Sequence, residues 1–488
     1  DAAYPQASAV SCISFNGIVC HSMKEIEGRQ RRGVAGRQQG EPSMISSPPQ
    51  SALLDRDAVY RRILWRLMPF LIACYFIASI DRTNVAYAKL QFMDSLGFTE
   101  TVFGIGAGIF SLGYIMFEIP SNIMLKRIGI RRTLLRIMLL WGLFCISLSM
   151  MVDAWHFYTL RFLLGAAEAG FFPGVMYFLY KWVPFDKRAG ALALLMTAMG
   201  LAGVLAGPIA GVVITGLDGY MGLDGWQWLF IFEGVPAVLF GVAAYFYLDE
   251  APADAKWLTA EERLFVLDDL GRDSGPSVKT SGEASSYLNR EFIGVLCACL
   301  ALMGGTSAFM MWMPTIMRGF GIDSIMLIGL YSSGPFAVAL ICQLANARHS
   351  DRHGERTLHI VIPLSIAACG WLALAFGDFT PFQALVVLTA IAAGTMATFG
   401  PFWAIPPSIL PPEKRAVGVA LVSTLGGTAS FVQPIAFGAM IDRFGLDYAQ
   451  MGNGIFIAVC LALFLLISPR RPSGRTPEHN QTPALQKA

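Results

Sequence analysis

From Arg61 onward the chain is a succession of apolar runs that no water-soluble packing accommodates. They cover about residues 64–86, 101–123, 133–152, 156–180, 189–214, 227–248, 292–316, 324–346, 357–376, 381–408, 415–441 and 448–468. At about 1.5 Å per residue each is long enough to cross a hydrocarbon core of about 30 Å. Lipid offers the backbone no hydrogen bonds, so such runs cross as helices. The expected fold class is all-α integral membrane, with twelve transmembrane helices in two pseudo-symmetric six-helix bundles. Charged residues make up 14% of the chain, against roughly 25% in soluble domains. Lys and Arg number 36 against 34 Asp and Glu. That balance leaves no basic face for nucleic acid and argues against a large soluble enzyme.

Charge in the loops sets an orientation. With the N-terminus inside, the short inner loops hold Lys126, Arg127, Arg131, Arg132, Lys181, Lys187, Arg188, Arg348, Arg352, Arg356, Lys414 and Arg415. The outer loops hold only Lys89, Arg318 and Arg443. The positive-inside rule then puts both termini in the cytoplasm and the chain in the inner (plasma) membrane. The divisions are a disordered cytoplasmic N-terminal segment at 1–60, a six-helix bundle at 61–248, a cytoplasmic linker at 249–291, a second bundle at 292–468 and a cytoplasmic tail at 469–488. Three pairs repeat at nearly constant offset: Lys126 to Arg131 with Asp351 to Arg356, Pro184 to Arg188 with Pro411 to Arg415, and Pro208 with Pro434. A duplicated six-helix unit is the mark of a secondary transporter with its site at the midplane.

Cofactor chemistry is not expected. Most of the nine cysteines lie inside apolar runs, as packing residues do. His349 and His353, four apart, have no Cys or carboxylate set in the sequence to complete a zinc shell. No Gly-Lys pair occurs, so there is no phosphate-binding P-loop. Gly104, Gly106 and Gly108 lie within an apolar run with no preceding strand, and read as a close helix contact. Gly203, Gly207, Pro208 and Gly211 read as a kinked helix at the interface of the halves.

Ionisable groups inside the membrane are costly and therefore functional candidates. Span 1 carries Asp81 and Arg82, span 2 Glu118, span 4 Arg161 and Glu168, and span 6 Glu233. Arg161 and Glu233 have similar depths and are expected to pair as a structural brace. Glu118 lies one turn from the inner loop, where Lys126, Arg127 or Arg348 is expected to pair with it during gating. Arg82 offers a planar, permanently charged partner for a carboxylate, and a buried carboxyl group such as Asp81 or Glu168 is suited to carry a proton. The helices of the second half lack interior charges; Tyr331, Asn346, Trp403 and Gln433 are its candidates for substrate contact, joined by Asn84 from the first half.

Asp351-Arg352-x-Gly354-x-Arg356 resembles the gating-loop motif of the major facilitator superfamily. Asp81-Arg82-Thr-Asn84, Glu118-Ile-Pro-Ser-Asn122, Arg161-Phe-Leu-Leu-Gly-Ala-Ala-Glu168, the Gly225 to Glu233 stretch, Pro252 to Glu262 and His349 to Arg356 are similar to its anion:cation symporter branch. The resemblance implies the major facilitator fold and proton-driven transport of tartrate, phthalate, hydroxyphenylacetate or sugar acids. It implies proton carriage and substrate-anion binding among Asp81, Arg82 and Glu168. Lys126 and Asn122 stand where the wider superfamily has Asp and Gly, so the first-half loop should be latched differently from the one at Asp351, Arg352 and Arg356. The combined expectation is a monomeric importer of an organic anion with protons. A proton-coupled exporter or a non-transporting nutrient receptor on the same scaffold are the alternatives.

Overall fold

The computed structural model describes residues 54–272, 290–410 and 415–467. Most of the expected N-terminal segment, the middle of the linker, Lys414 and the tail lie outside the described residues. The first six passes are α1 (Arg56–Leu96), α2 (Glu100–Ile128), α3 (Ile130–Leu148), α4 (Ala154–Glu168) with α5 (Phe171–Trp182), α6 (Phe185–Gly216) and α7 (Gly225–Tyr247). A linker helix follows, α8 (Ala260–Arg272). The other passes are α9 (Arg290–Gly319), α10 (Ile325–His353), α11 (Leu358–Phe376), α12 (Pro381–Ala397) with α13 (Phe399–Trp403) and α14 (Pro406–Ile409), α15 (Arg415–Phe444) and α16 (Leu446–Ile467). Eleven of the twelve passes are individually long and apolar enough to cross a membrane. The remaining one, α3, begins with Arg131, Arg132 and Arg136 and packs along α7.

Helix starts follow local chemistry. Asp55, Thr99 and Ser324 accept from the first free amides of α1, α2 and α10, as N-caps do. Two passes that read as continuous are broken. Pass 4 parts at Ala169 and Gly170, where Gly170 takes φ 90°; pass 10 is split into α12, α13 and α14 in a stretch containing Pro401, Pro406 and Pro407.

Within each half the passes pack as a bundle, and the halves meet along two related seams: α2 against α15, and α6 against α10. These are passes 2 with 11 and 5 with 8, which exchange under the duplication. Glycine makes both seams close. A β-carbon on Gly104 would fall 2.3 Å from the Pro434 carbonyl oxygen, and one on Gly207 2.4 Å from that of Gly329. The two glycine-rich runs thus act as close-contact surfaces.

The end of the molecule that holds residue 56 and residue 467, here the terminal end, carries the linker. Arg56 bonds Asp186 at 2.9 Å and Asp269 at 3.0 Å, Arg62 bonds Glu262 at 2.6 Å, and Trp257 stacks on Trp182. Glu250 accepts from the amides of Ile130 and Arg131 at 2.9 and 3.1 Å, and Arg131 donates to the Tyr245 carbonyl. The turn at Gly129 is therefore fastened by a carboxylate from beyond pass 6. In the second half Asp351, Arg352 and His353 extend α10 by a last turn instead of forming a loop, and left-handed Gly354 caps it. Arg356 pairs with Asp351 at 2.6 Å and donates to Ser350. His359, bonded to Glu355, also reaches His349.

At the opposite end the halves are bonded together, and here a residue expected in an outer loop is buried. Pass 1 runs ten residues further than expected and carries Lys89 inside, 1% exposed. Its ammonium is compensated by Glu100, by Thr315 Oγ1 at 2.8 Å across the halves, and by the faces of Trp312 and Phe103 at 4.0 and 4.6 Å. Asp442 of α15 accepts from the amides of Glu100 and Thr101, and Arg318 donates to the Leu90 carbonyl. Lys89→Ala strands the Glu100 carboxylate and is expected to weaken this closure by about 3–5 kcal/mol. The readout is faster hydrogen exchange at residues 99–103 and a lower unfolding temperature.

Candidate functional site

Asp81 and Arg82 each anchor a group of polar side chains, on different faces of α1. Asp81 and Arg82 are adjacent in sequence, which turns them about 100° apart on a helix. Arg82 points to the partly open interior with its side chain 41% exposed, while Asp81 is 3% exposed inside the first bundle.

Arg82 is held by Glu168, the last residue of α4. Both Nε and Nη2 lie 2.6 Å from Glu168 Oε1. Glu168 itself is 0% exposed, and its Oε2 has no hydrogen-bond partner. A cation at the C-terminal end of α4 also meets the negative pole of that helix. The break at Gly170 sets this geometry, because α5 restarts in a new direction immediately after the carboxylate. A β-carbon at Gly170 would lie 2.3 Å from Ser121 Oγ of pass 2. Two aromatic residues not singled out by sequence reasoning flank the pair. Arg82 lies 5.2 Å over the Tyr114 ring, and Tyr75, two turns before Arg82 on α1, stacks on Phe171 and Phe172 at the start of α5. The signal was available as spacing: Tyr75 and Arg82 are seven apart and share a helix face. Glu118, one turn from Tyr114, is half-buried within electrostatic reach of Arg82.

The second group is built around Asp81. Trp141 Nε1 donates to one oxygen at 2.8 Å and Cys145 Sγ to the other at 2.9 Å. Asp81, Cys145 and Glu233 converge, with a reactive atom of each within 4.8 Å of the others. Asn84 is fully buried and donates to Glu233 Oε1. Asn84 therefore belongs to this interior cluster and does not line the Arg82 site, a correction to its placement from sequence.

The expected Arg161–Glu233 brace does not form. Equal depth put them in one layer, but α4 presents Arg161 to α2, where Nε donates to the Gly106 carbonyl and the guanidinium covers Phe110. Glu233 on α7 instead faces α1. Second-half candidates are also reassigned. Asn346 Nδ2 donates to the carbonyls of His359 and Ala397, tying passes 8, 9 and 10 together. Gln433 bonds Asn453 at 3.2 Å beside a cavity of about 320 Å³ among α9, α15 and α16, away from Arg82's neighbours. Tyr331 is partly exposed, and Trp403 packs edge-on to Phe402. Lys126 and Arg127 occupy the last turn of α2, and Arg352 the last turn of α10, all at the terminal end.

Twelve passes in two packed groups, a broken fourth pass and a buried ion pair at the end of its first segment are the architecture of a polytopic membrane protein with charge held in its interior. The Major Facilitator Superfamily model matches residues 71–434 and 324–487, and the chain belongs to that family. It is 40% identical over 427 residues to an Agrobacterium vitis protein named for tartrate transport, covering 86% of this chain and 94% of that one. It is 33% identical over 416 residues to a quinolone resistance transporter of Acinetobacter baumannii, covering 84% and 93%. The fold is similar to that of a bacterial homologue of the human lysosomal transporter Spinster in an inward-facing, occupied conformation, with TM-score 0.68 at 15% identity over 84% of this chain and 97% of that one.

Gly170→Ala is expected to destabilise the fold by about 1–3 kcal/mol, because it adds a β-carbon to a left-handed backbone against Ser121. Thermal unfolding of the purified protein measures it, with Gly190→Ala, where nothing lies within 4 Å, as the control.

Proposed function

We propose that this chain imports an organic carboxylate of the tartrate or sugar-acid type together with protons. The observation that carries the reading is the Arg82–Glu168 pair: a guanidinium facing the interior, neutralised through one oxygen of a fully buried carboxylate. When Glu168 takes a proton, Arg82 is released to bind a substrate carboxylate with its planar fork. When the proton leaves, the ionised Glu168 competes for Arg82 and substrate is expelled. Glu168 is the proton-coupling acid beside the substrate in this reading, Asp81 couples the proton through the enclosed acid cluster behind α1, and Tyr75 and Tyr114 shape the pocket beside the fork. The relative named for tartrate transport supports the substrate class.

In this mechanism the bundles at 61–248 and 292–468 rock about the two glycine seams, in a single chain acting as a monomer. The terminal end faces the cytoplasm of a bacterial inner membrane, a placement supported by the Lys and Arg gathered there. The bonds of Lys89, Arg318 and Asp442 at the opposite end support reading the conformation as inward-open. Asp351 with Arg356, together with Arg352, Lys126, Arg127 and Glu118, would gate the cytoplasmic opening. The quinolone-resistance relative favours a second reading, export by the same machinery.

Reconstituted full-length protein with L-tartrate outside and an inwardly directed proton gradient tests both. Wild type should accumulate tartrate. Arg82→Ala should lower uptake on the order of a hundredfold, the cost of stranding a buried partner. Glu168→Gln should abolish gradient-driven accumulation while keeping tartrate exchange at equal pH. Gradient-driven uptake unchanged in both variants would refute the mechanism, and quinolone efflux without tartrate uptake would favour export.

A further inference from the structure

The Arg82–Glu168 pair leaves the interior cluster unexplained. Asp81 is 3% and Glu233 5% exposed, and no Lys, Arg or His lies within ion-pair distance of either among the described residues. Arg161 acts on Asp81 from further away, as it does on Glu168, while the charged group acting on Glu233 is Asp81 alone. The other neighbours are neutral: Asn84 on α1, and Trp141 and Cys145 on α3. Two adjacent carboxylates buried in a helix bundle with no cation beside them are strongly disfavoured from both being ionised.

The hydrogen bonds say which one is neutral. Asp81 has a donor at each oxygen, Trp141 Nε1 at one and at the other the Cys145 thiol, which lies closer to Asp81 than to its alternative acceptor, the Phe230 carbonyl, an arrangement that suits an ionised carboxylate. Glu233 accepts from Asn84 at Oε1, and the unpartnered atoms that remain, Glu233 Oε2 and Asn84 Oδ1, are both acceptors. A site of unfilled acceptors calls for a cation. A hard metal ion needs about six oxygens, and the cluster has two unclaimed; a proton needs one oxygen to sit on and one to bridge to.

We propose that Asp81, Glu233 and Asn84 form a proton-binding site separate from Arg82–Glu168, with the proton carried on Glu233 Oε2. The O–H bond forms at Glu233 when a proton enters and breaks when it leaves, and nothing is oxidised or reduced. Arg161, acting on both Asp81 and Glu168, links this site to the substrate pair, and α1 carries Asp81 and Arg82 together. The role in transport rests on the proton-symport reading; the presence of the proton does not.

Infrared difference spectra of purified full-length protein after transfer to D2O test the proton without substrate. A buried carboxylic-acid carbonyl band is expected in wild type and in Glu168→Gln, and its loss in Glu233→Gln. Should Glu233→Gln not purify folded, Asp81→Asn is expected to move the band by removing the negative charge beside Glu233. A band that survives Glu233→Gln, stays in place in Asp81→Asn, or disappears when sodium replaces choline would overturn the assignment. In proteoliposomes Glu233→Gln, shaped like the protonated acid, should retain L-tartrate counterflow and lose gradient-driven accumulation. Accumulation equal to wild type would overturn the coupling role. Absence of tartrate transport by wild type would instead remove the proposed substrate and leave the infrared result standing.

Discussion

Hydrocarbon does not solvate charge, and the arrangement of passes 1 to 6 follows from how each buried ionisable group is compensated. Arg82 has Glu168, Lys89 has Glu100 with two aromatic faces, and Arg161 has a backbone carbonyl and the Phe110 ring. Asp81 has two neutral donors. None of these is a surface ion pair worth little against water; each holds a buried group whose isolation would be costly. Such contacts are also the ones that can exchange partners, since a proton or a ligand anion changes the balance by a full unit of charge.

The second half complements this. Its interior polar groups are amides and hydroxyls, many of them tied into backbone bonds, as Asn346 is to His359 and Ala397. Uncharged packing in one half and charged packing in the other set the two halves apart. The glycine seams at Gly104 with Pro434 and Gly207 with Gly329 let backbones of the two halves approach closely. The terminal end is fastened within the first half by the linker helix and Glu250, and the opposite end is fastened between halves through Lys89, Arg318 and Asp442.

The succession of apolar helices and the glycines of the seams were legible in the amino-acid sequence. Length, apolarity and offset are one-dimensional properties, and lipid leaves the backbone few alternatives to helix. Lys89 was misplaced because a lysine is ordinarily evidence of a loop, and only the neighbours from passes 2 and 7 make its burial tolerable. Asp351 and Arg352 read as loop for the same reason, although α10 carries them on a last turn into water.

Partner choice was decided by the tertiary structure. Depth along the helix, which sequence supplies, is one coordinate of three; rotation about the helix axis and the neighbour presented there are set by packing. That is why Arg161 and Glu233 share a layer without meeting, why Asn84 and Asp81 turn inward to Glu233, and why Arg82, one residue on, turns to Glu168. Sequence identified six charged residues within the apolar runs of the first half, and the fold divided them into an interior-facing pair, an enclosed acid cluster and their neighbours, because a helix turn of about 100° per residue sends adjacent residues to different surroundings.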